Sequence, residues 1–545
     1  MGFRRQIMSI RTRAAGHVLW LIVAVFAVGC QPKSAPAPAA DDASGNVTTD
    51  APDNPAEGIV EIEDQLRSAL YQLQPENLNI DSRLDDAISV LNNWWVAAEA
   101  SQVIPAGTAA AAIPADRVPP ELLSGLQSTT FDGMDGRHIR ACFFAQRIAE
   151  NLSAGVDTDL ERVLRVFDWG YRNLALRSLD QPPLPFTFYE ALIVGQMRPE
   201  DRAMVLAGVL KQLNLDCVVL RPSAEVVEGQ PWLFGVIVDG QVYLFDLALG
   251  LPVPQGDRPL AEQFQQPATL AQLKAHPEWL ALLSPRADQP YPLTAEDVAR
   301  LHVDVVTVPR SWTKRMWSIE QLLPGEMLCV LYDPPSTAAD RPSIFERVAQ
   351  VIPGIAANDV GVWSDPIRQE ARMAAIDVPT MRAYQEALIS FIVPVEYQAD
   401  RETGTQRRIE TQRQLRIRTE QLLGRRLDAL SQYVTIRQLA FTQPPEPALT
   451  PVYQRAADDA FFWSTICKYE LGETETAVAQ LQDYLKRYRR GGQWVYVARA
   501  MLADTYRASG NTEELLKIAG VQESDDPYRD RHALFSRSAK SAAQD

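Results

Sequence analysis

The chain is poor in the residues that metal and phosphate chemistry draws on. It has five Cys and five His in 545 residues. No His-x-x-x-His or Cys-x-x-Cys spacing brings two of them together as a metal site requires. His17, His138, His276, His302 and His532 stand singly. Neither Gly-x-Gly-x-x-Gly nor Gly-x-x-x-x-Gly-Lys occurs, so no phosphate cradle is read, and there is no Gly-x-Ser-x-Gly elbow. Excess positive charge is missing too: 53 Lys+Arg face 69 Asp+Glu, a net charge of −16. That balance excludes a general nucleic-acid binder, whose footprint is basic. No cofactor is expected. With 46% hydrophobic and 22% charged residues the composition is globular, and the length suggests two to four domains of about 150 residues each.

The front of the chain carries Arg4, Arg5, Arg11 and Arg13, then an apolar run of 11 residues, Val18 to Val28, and then Gly29-Cys30. A positive start, a short apolar stretch and small residues describe a secretory signal over residues 1–29. The run falls short of the ~20 residues of a membrane span. Ala27-Val28-Gly29-Cys30 resembles the bacterial lipoprotein signal, although that family more often has Leu in the place of Ala27. The resemblance implies a lipid on Cys30, and Gln31 after it implies sorting to the outer membrane, facing the periplasm. Residues 30–58 have five Pro and no Leu, Ile before Ile59 or aromatic residue, a composition that predicts a disordered tether. Loss of residues 1–29 leaves a body of net charge −20. In an oxidising compartment Cys142, Cys217, Cys329 and Cys467 allow two disulfides in three pairings. Their apolar neighbours also read as those of buried free thiols.

Residues 59–120 predict a helical segment, with Ile62, Leu66, Leu70 and Leu73 on one face and Leu84, Ile88, Leu91 and Trp95 on another. Residues 121–310 predict an α+β domain. Helices carry Ile139, Phe143, Ile148 and Leu152, then Leu160, Val163, Leu164, Phe167 and Tyr171. A third helix runs from Pro199 to Leu213, followed by a buried strand at Cys217–Leu220. A hairpin joins 235–238 to 241–245 through Asp239-Gly240, a strong turn signal, and a late strand covers Leu301–Val308. Residues 311–440 predict a helix at Ser311–Leu323, a strand at Met327–Tyr332 and long helices from Asp377 to Leu439. Residues 401–426 carry eight Arg and read as a solvated face rather than a grip on anionic polymer. From Ala456 to Gly520, Phe461, Gly472, Ala477, Leu481 and Tyr484, then Leu502, Ala503, Tyr506, Gly510 and Leu515, resemble tetratricopeptide repeats within a 441–521 unit. That family mostly binds peptides or proteins. The tail 522–545 reads as polar and flexible.

Phe167-Asp168-Trp169-Gly170-Tyr171, Gly195, Glu200 to Leu206, Leu213 to Val219 and Tyr243-Leu244-Phe245-Asp246 together resemble the transglutaminase-like branch of the papain-type cysteine enzymes. The likeness spans about ninety residues and lies in pattern more than identity. It implies a helix packed on an antiparallel sheet, with a Cys thiolate at the helix start, a His on the first hairpin strand and an Asp on the second. Here the Cys position falls at Pro199, the His position at Pro231 or Trp232, and only Asp246 matches. Proline supplies neither nucleophile nor base.

His138 and Cys142, four apart, share a helix face without a recognisable orienting carboxylate. Cys217 reads as an inert strand thiol. Asp201 with Asp246 offers a carboxylate pair of the kind glycosidases use, against the plainer expectation of exposed, solvated acids, and Asp246 equally suits a turn cap. The leading expectation is an envelope lipoprotein with a degenerate transglutaminase-like domain that binds or scaffolds a protein or peptide, with a pocket between the Pro199 helix and the 235–246 hairpin that holds a peptide or glycan without cleaving it. The alternatives are a thiol-dependent peptidase, amidase or transglutaminase-like enzyme, and a purely helical structural lipoprotein.

Overall fold

The computed structural model describes residues 55–542 except 78–83, 105–110, 183, 185, 226–228, 257, 260–261, 338–340, 393–394, 400–405, 411–412, 442–445, 490 and 522. The expected signal segment and Cys30 lie outside the described residues, as does the tether up to residue 54. The last residues assigned to the tether already belong to the first helix, α1 (Pro55–Gln72). Helix α2 (Leu84–Ala100) packs back on it, and Leu66, Leu70, Leu91, Trp94 and Trp95 are buried between them and their neighbours.

Four helices follow: α3 (Gly133–Ser153), α4 (Asp159–Asn173), α5 (Phe188–Val194) and α6 (Pro199–Lys211). Their starts are chemically specified. Asp132 caps α3 by accepting from the amides of Met134 and Asp135 at 2.8 and 3.0 Å, and Asp135 returns the contact to the Asp132 amide at 3.0 Å. Pro199 is the first residue of α6, where its fixed φ suits a helix and its missing N–H leaves no donor unpaired.

A six-stranded sheet forms the centre. Its strands are β1 (Cys217–Arg221), β2 (Leu233–Val238), β3 (Gln241–Asp246), β4 (Leu251–Pro252), β5 (His302–Val305) and β6 (Gly361–Val362). Their order is β4-β3-β2-β1-β5-β6, antiparallel throughout except for the β5–β6 pair. Cys217 lies opposite Val236, and Val218 opposite Val305. At the β2–β3 turn Asp239 and Gly240 both have positive φ, 49° and 72°, as a two-residue turn of this hand needs. Both faces are covered. Cys217, Val219, Phe234, Val236 and Phe245 pack under α3, α4 and α6. Val218, Leu220, Leu244 and Val305 pack against Trp312, Phe345 and residues of the C-terminal helices. Burial on both sides explains why β1 reads as an uninterrupted apolar run.

After the sheet come α7 (Lys314–Gln321), α8 (Ile344–Val351), α9 (Val378–Ile392), α10 (Arg413–Leu422), α11 (Arg426–Arg437), α12 (Thr450–Glu470), α13 (Thr474–Tyr488), α14 (Val495–Ala508), α15 (Thr512–Ala519) and α16 (Arg529–Ala542). From α12 on, each helix packs on the next. The architecture is α+β with a mostly helical C-terminal region.

Four expectations need correction. The long helices expected over 377–439 are interrupted by an antiparallel hairpin, Val395–Ala399 with Gln406–Glu410. The tail is not loose: α16 buries Ala533, Leu534, Phe535 and Ala539. Residues 327–332 are no strand. Their backbone groups are taken by side chains: Gln212 Nε2 donates to Val330 O at 3.0 Å, and Gln212 Oε1 accepts from Val330 N at 2.8 Å. Glu320 accepts from the amides of Leu331 and Tyr332 at 2.7 Å each. The result is an extended strap across the C-terminal end of α6. Last, the Arg-rich segment is not simply a solvated face. Arg418 of α10 is fully buried, donating to Leu192 O and to the carbonyl and side-chain oxygens of Asn173 at 3.1 to 3.3 Å, with its guanidinium 3.4 Å from the centre of the Trp463 ring. Of the same segment, residues 401–405 and 411–412 lie outside the described residues.

Candidate functional site

The head of α6 is where the resemblance would put a nucleophile. Arg198 precedes Pro199, and its guanidinium lies 3.3 Å from Asp201 and 3.5 Å from Asp365. Asp201 also accepts from the Arg198 amide at 3.0 Å. It is buried, not exposed as expected of a surface acid, and desolvation lifts its carboxyl to about 6 against the pull of Arg198. One turn on, the buried Arg202 donates to Leu174 O at 3.0 and 2.5 Å and to Leu247 O at 2.8 Å. This ties α6 to the loop after β3.

Asp246, at the end of β3, is also buried. It accepts from the Leu249 amide at 2.7 Å and from the Tyr291 hydroxyl at 2.6 Å. Burial raises its carboxyl, opposed by these bonds and by Arg202. It therefore caps the turn after its strand, and no imidazole reaches it among the hydrogen bonds of the described residues. Pro231 and Trp232 lie just before β2, outside the strand, and the Trp232 ring packs 5.7 Å from that of Trp363. The seam between α4, α6 and the hairpin, where a ligand pocket was expected, is filled by Phe167, Leu206, Phe234 and Phe245 among others and leaves no room for a water molecule.

Space opens on the opposite flank of α6. A partly open cavity of about 170 Å³ lies between α3, α5, the second half of α6, residues 306–311 and the strap. Met134, Ala141, Ala145, Phe188, Met204 and Val308 supply apolar wall. His138 and Cys142 also line it. Their shared helix face does bring them together, with Cys142 Sγ 3.7 Å from His138 Nε2 and 4.0 Å from Nδ1. Nε2 is 3.0 Å from Leu331 O. A carbonyl only accepts, so Nε2 carries the proton and the ring's lone pair is on Nδ1. Burial raises the Cys142 thiol and lowers the His138 imidazole, which favours the neutral pair over thiolate and imidazolium.

All four described cysteines are free and buried, and burial is the largest cause raising each thiol. Among the described residues no group of three or more His, Cys, Asp or Glu could hold a metal ion, and no helix is long and apolar enough to cross a membrane. Sequence reasoning missed Lys211, Gln212 and the strap as parts of one wall. Lys211 joins Asp216 and Asp333 at 3.1 and 2.8 Å, and Arg347 joins the same two acids at 2.7 to 2.9 Å. This network fastens the strap's end to α6. No family model, curated protein or solved structure matches the chain.

Proposed function

We propose that the chain is an exported, lipid-anchored envelope protein that binds or scaffolds a partner without cleaving it, on a domain related to the transglutaminase-like group. The anchor rests on the run from Arg4 to Cys30 and the tether after it. The relation rests on a helix laid on an antiparallel sheet, with Asp246 closing the hairpin. The observation that carries the non-catalytic reading is the head of α6. Where the related enzymes need a thiolate, Pro199 begins the helix and an ion-paired Arg198–Asp201–Asp365 cluster surrounds it. The C-terminal helices, similar to tetratricopeptide repeats, would supply a second surface for a protein or peptide partner.

A second reading keeps a thiol enzyme and places its chemistry at Cys142 and His138, because those two groups meet in a cavity wall. Against it stand the raised thiol and the absence of a carboxylate among the hydrogen-bond partners found for His138. Incubating the full chain with peptide, amide and glycan substrates separates the two. The expected outcome is binding without product. Product release that is lost in Cys142→Ser or in Asp246→Ala would overturn the non-catalytic reading.

A further inference from the structure

The cavity beside α6 has the size and wall chemistry of a ligand site, and its polar groups narrow the ligand. At about 170 Å³ it is comparable to an apolar protein cavity of about 150 Å³ that stays dry and binds benzene. The space exists because α3 and α6 present Ala141, Ala145 and Ala207 to it, where larger side chains would interdigitate; Gly208 gives its place to the Phe188 ring.

The charged groups on the wall are already engaged inside the protein. Lys211 is paired with Asp216 and Asp333. Arg310 is paired with Asp132 at 2.8 Å; Arg137 is ion-paired with Glu190 at 3.8 Å, beyond hydrogen-bond distance, and its Nη1 is buried without a hydrogen-bond partner. Gln212 and His138 are spent on the strap backbone, and Ser311 donates to Val308 O at 2.7 Å. An ionised headgroup entering here would have to break one of these pairs, and a charge separated from its partner in a low-dielectric wall is costly. Among the neutral groups, the Thr187 hydroxyl oxygen is buried without a hydrogen-bond partner and offers one uncharged contact.

We propose that this cavity binds a neutral apolar group of about six to ten heavy atoms, an aromatic ring or short alkyl chain with at most one hydroxyl or carbonyl. The inference rests on the binding-module reading and names its ligand class. The strap forms part of the rim, and because its backbone hangs on side chains rather than on a sheet ladder, it is the element a ligand would displace on entry.

The test is a titration of the full chain with 4-fluorotoluene, followed by fluorine NMR. Saturable binding is expected, reversed by hexanol with an affinity about tenfold or more above that of hexanoate at pH 7.5. Ala145→Phe and Ala141→Phe, each checked for native near-ultraviolet circular dichroism, should weaken binding by about tenfold or more. If both variants misfold, the unmodified protein decides. Saturating hexanol should slow the methanethiolation of Cys142 and leave that of Cys467, which is not in the wall, unchanged. Absence of 4-fluorotoluene binding, hexanoate competing as well as hexanol, undiminished binding in a folded variant, or no protection of Cys142 would each overturn the assignment. The binding-module reading would survive those results, since it falls on product release instead.

Discussion

The two halves of α6 are built by opposite rules. The first half, Pro199 to Arg202, is tied down: Arg198, Asp201 and Arg202 are joined to Asp365, Leu174 and Leu247. The second half, Met204 to Lys211, carries small and apolar side chains and borders open space. A thiol enzyme of the kind the sequence resembles needs the reverse, an accessible helix start carrying a thiol whose pKa is lowered there. Charge used to hold loops in place leaves no nucleophile there, while small residues further along leave room. The contrast separates what fastens this fold from what is free to receive a ligand.

The comparison can be broken at its strongest point first. Arg202→Met should destabilise the protein by about 3 kcal/mol, because Leu174 O and Leu247 O lose a buried charged donor. Urea unfolding measures this, and a loss below about 1 kcal/mol would mean the head of α6 is not tied as described. Next is pH. Asp201 titrates at about 6 in the folded chain against about 3.9 for an ordinary Asp. The folded state therefore holds a proton through that window that the unfolded state has released. The stabilisation is complete below about pH 4 and is lost as pH rises through 6, by about 3 kcal/mol over the whole window and about 2 kcal/mol between pH 4.5 and 7.5. Comparing urea midpoints at pH 4.5 and 7.5, Asp201→Asn should flatten this part of the slope. Asp526, at about 6, and Asp458, at about 7, act in the same sense and remain.

Smaller effects sharpen the second half. Gln212→Ala leaves both backbone groups of Val330 without their partner and should cost about 1–2 kcal/mol, with faster amide exchange at Val330. Ala207→Leu should cost less than about 1 kcal/mol, because the added atoms enter existing space instead of overpacking a filled core. A penalty as large as in a sealed core would show that the cavity is closed.

What the sequence revealed depends on where each segment finds its partners. The hairpin was legible because Asp239-Gly240 and the flanking apolar runs specify it locally, and α6 because Pro199 and Asp201 mark its start. The strap at 327–332 reads as a strand, since its apolar residues match one. Its hydrogen-bond partners, His138, Gln212 and Glu320, are 11 to 193 residues away in sequence. Arg418 reads as solvated because nothing near it in sequence announces Asn173 and Leu192, whose oxygens compensate its burial. Helix α16 looks polar because its apolar positions are few, yet these few meet the sheet. The cavity was illegible for a further reason: it is space left between segments far apart in the chain, and no motif encodes it. His138 and Cys142 could be placed on one face from their spacing, but not in its wall.

The central claim is that no thiol in the described body is activated for chemistry. It is tested most directly by the alkylation rates of Cys142, Cys217, Cys329 and Cys467 in the folded full chain between pH 5 and 9, resolved by mass spectrometry. All four should react slowly until the protein unfolds and then at the rate of ordinary thiols. A cysteine that reacts fast at pH 6 in the folded protein, and slows on unfolding, would contradict the claim and place a catalytic thiolate at that residue.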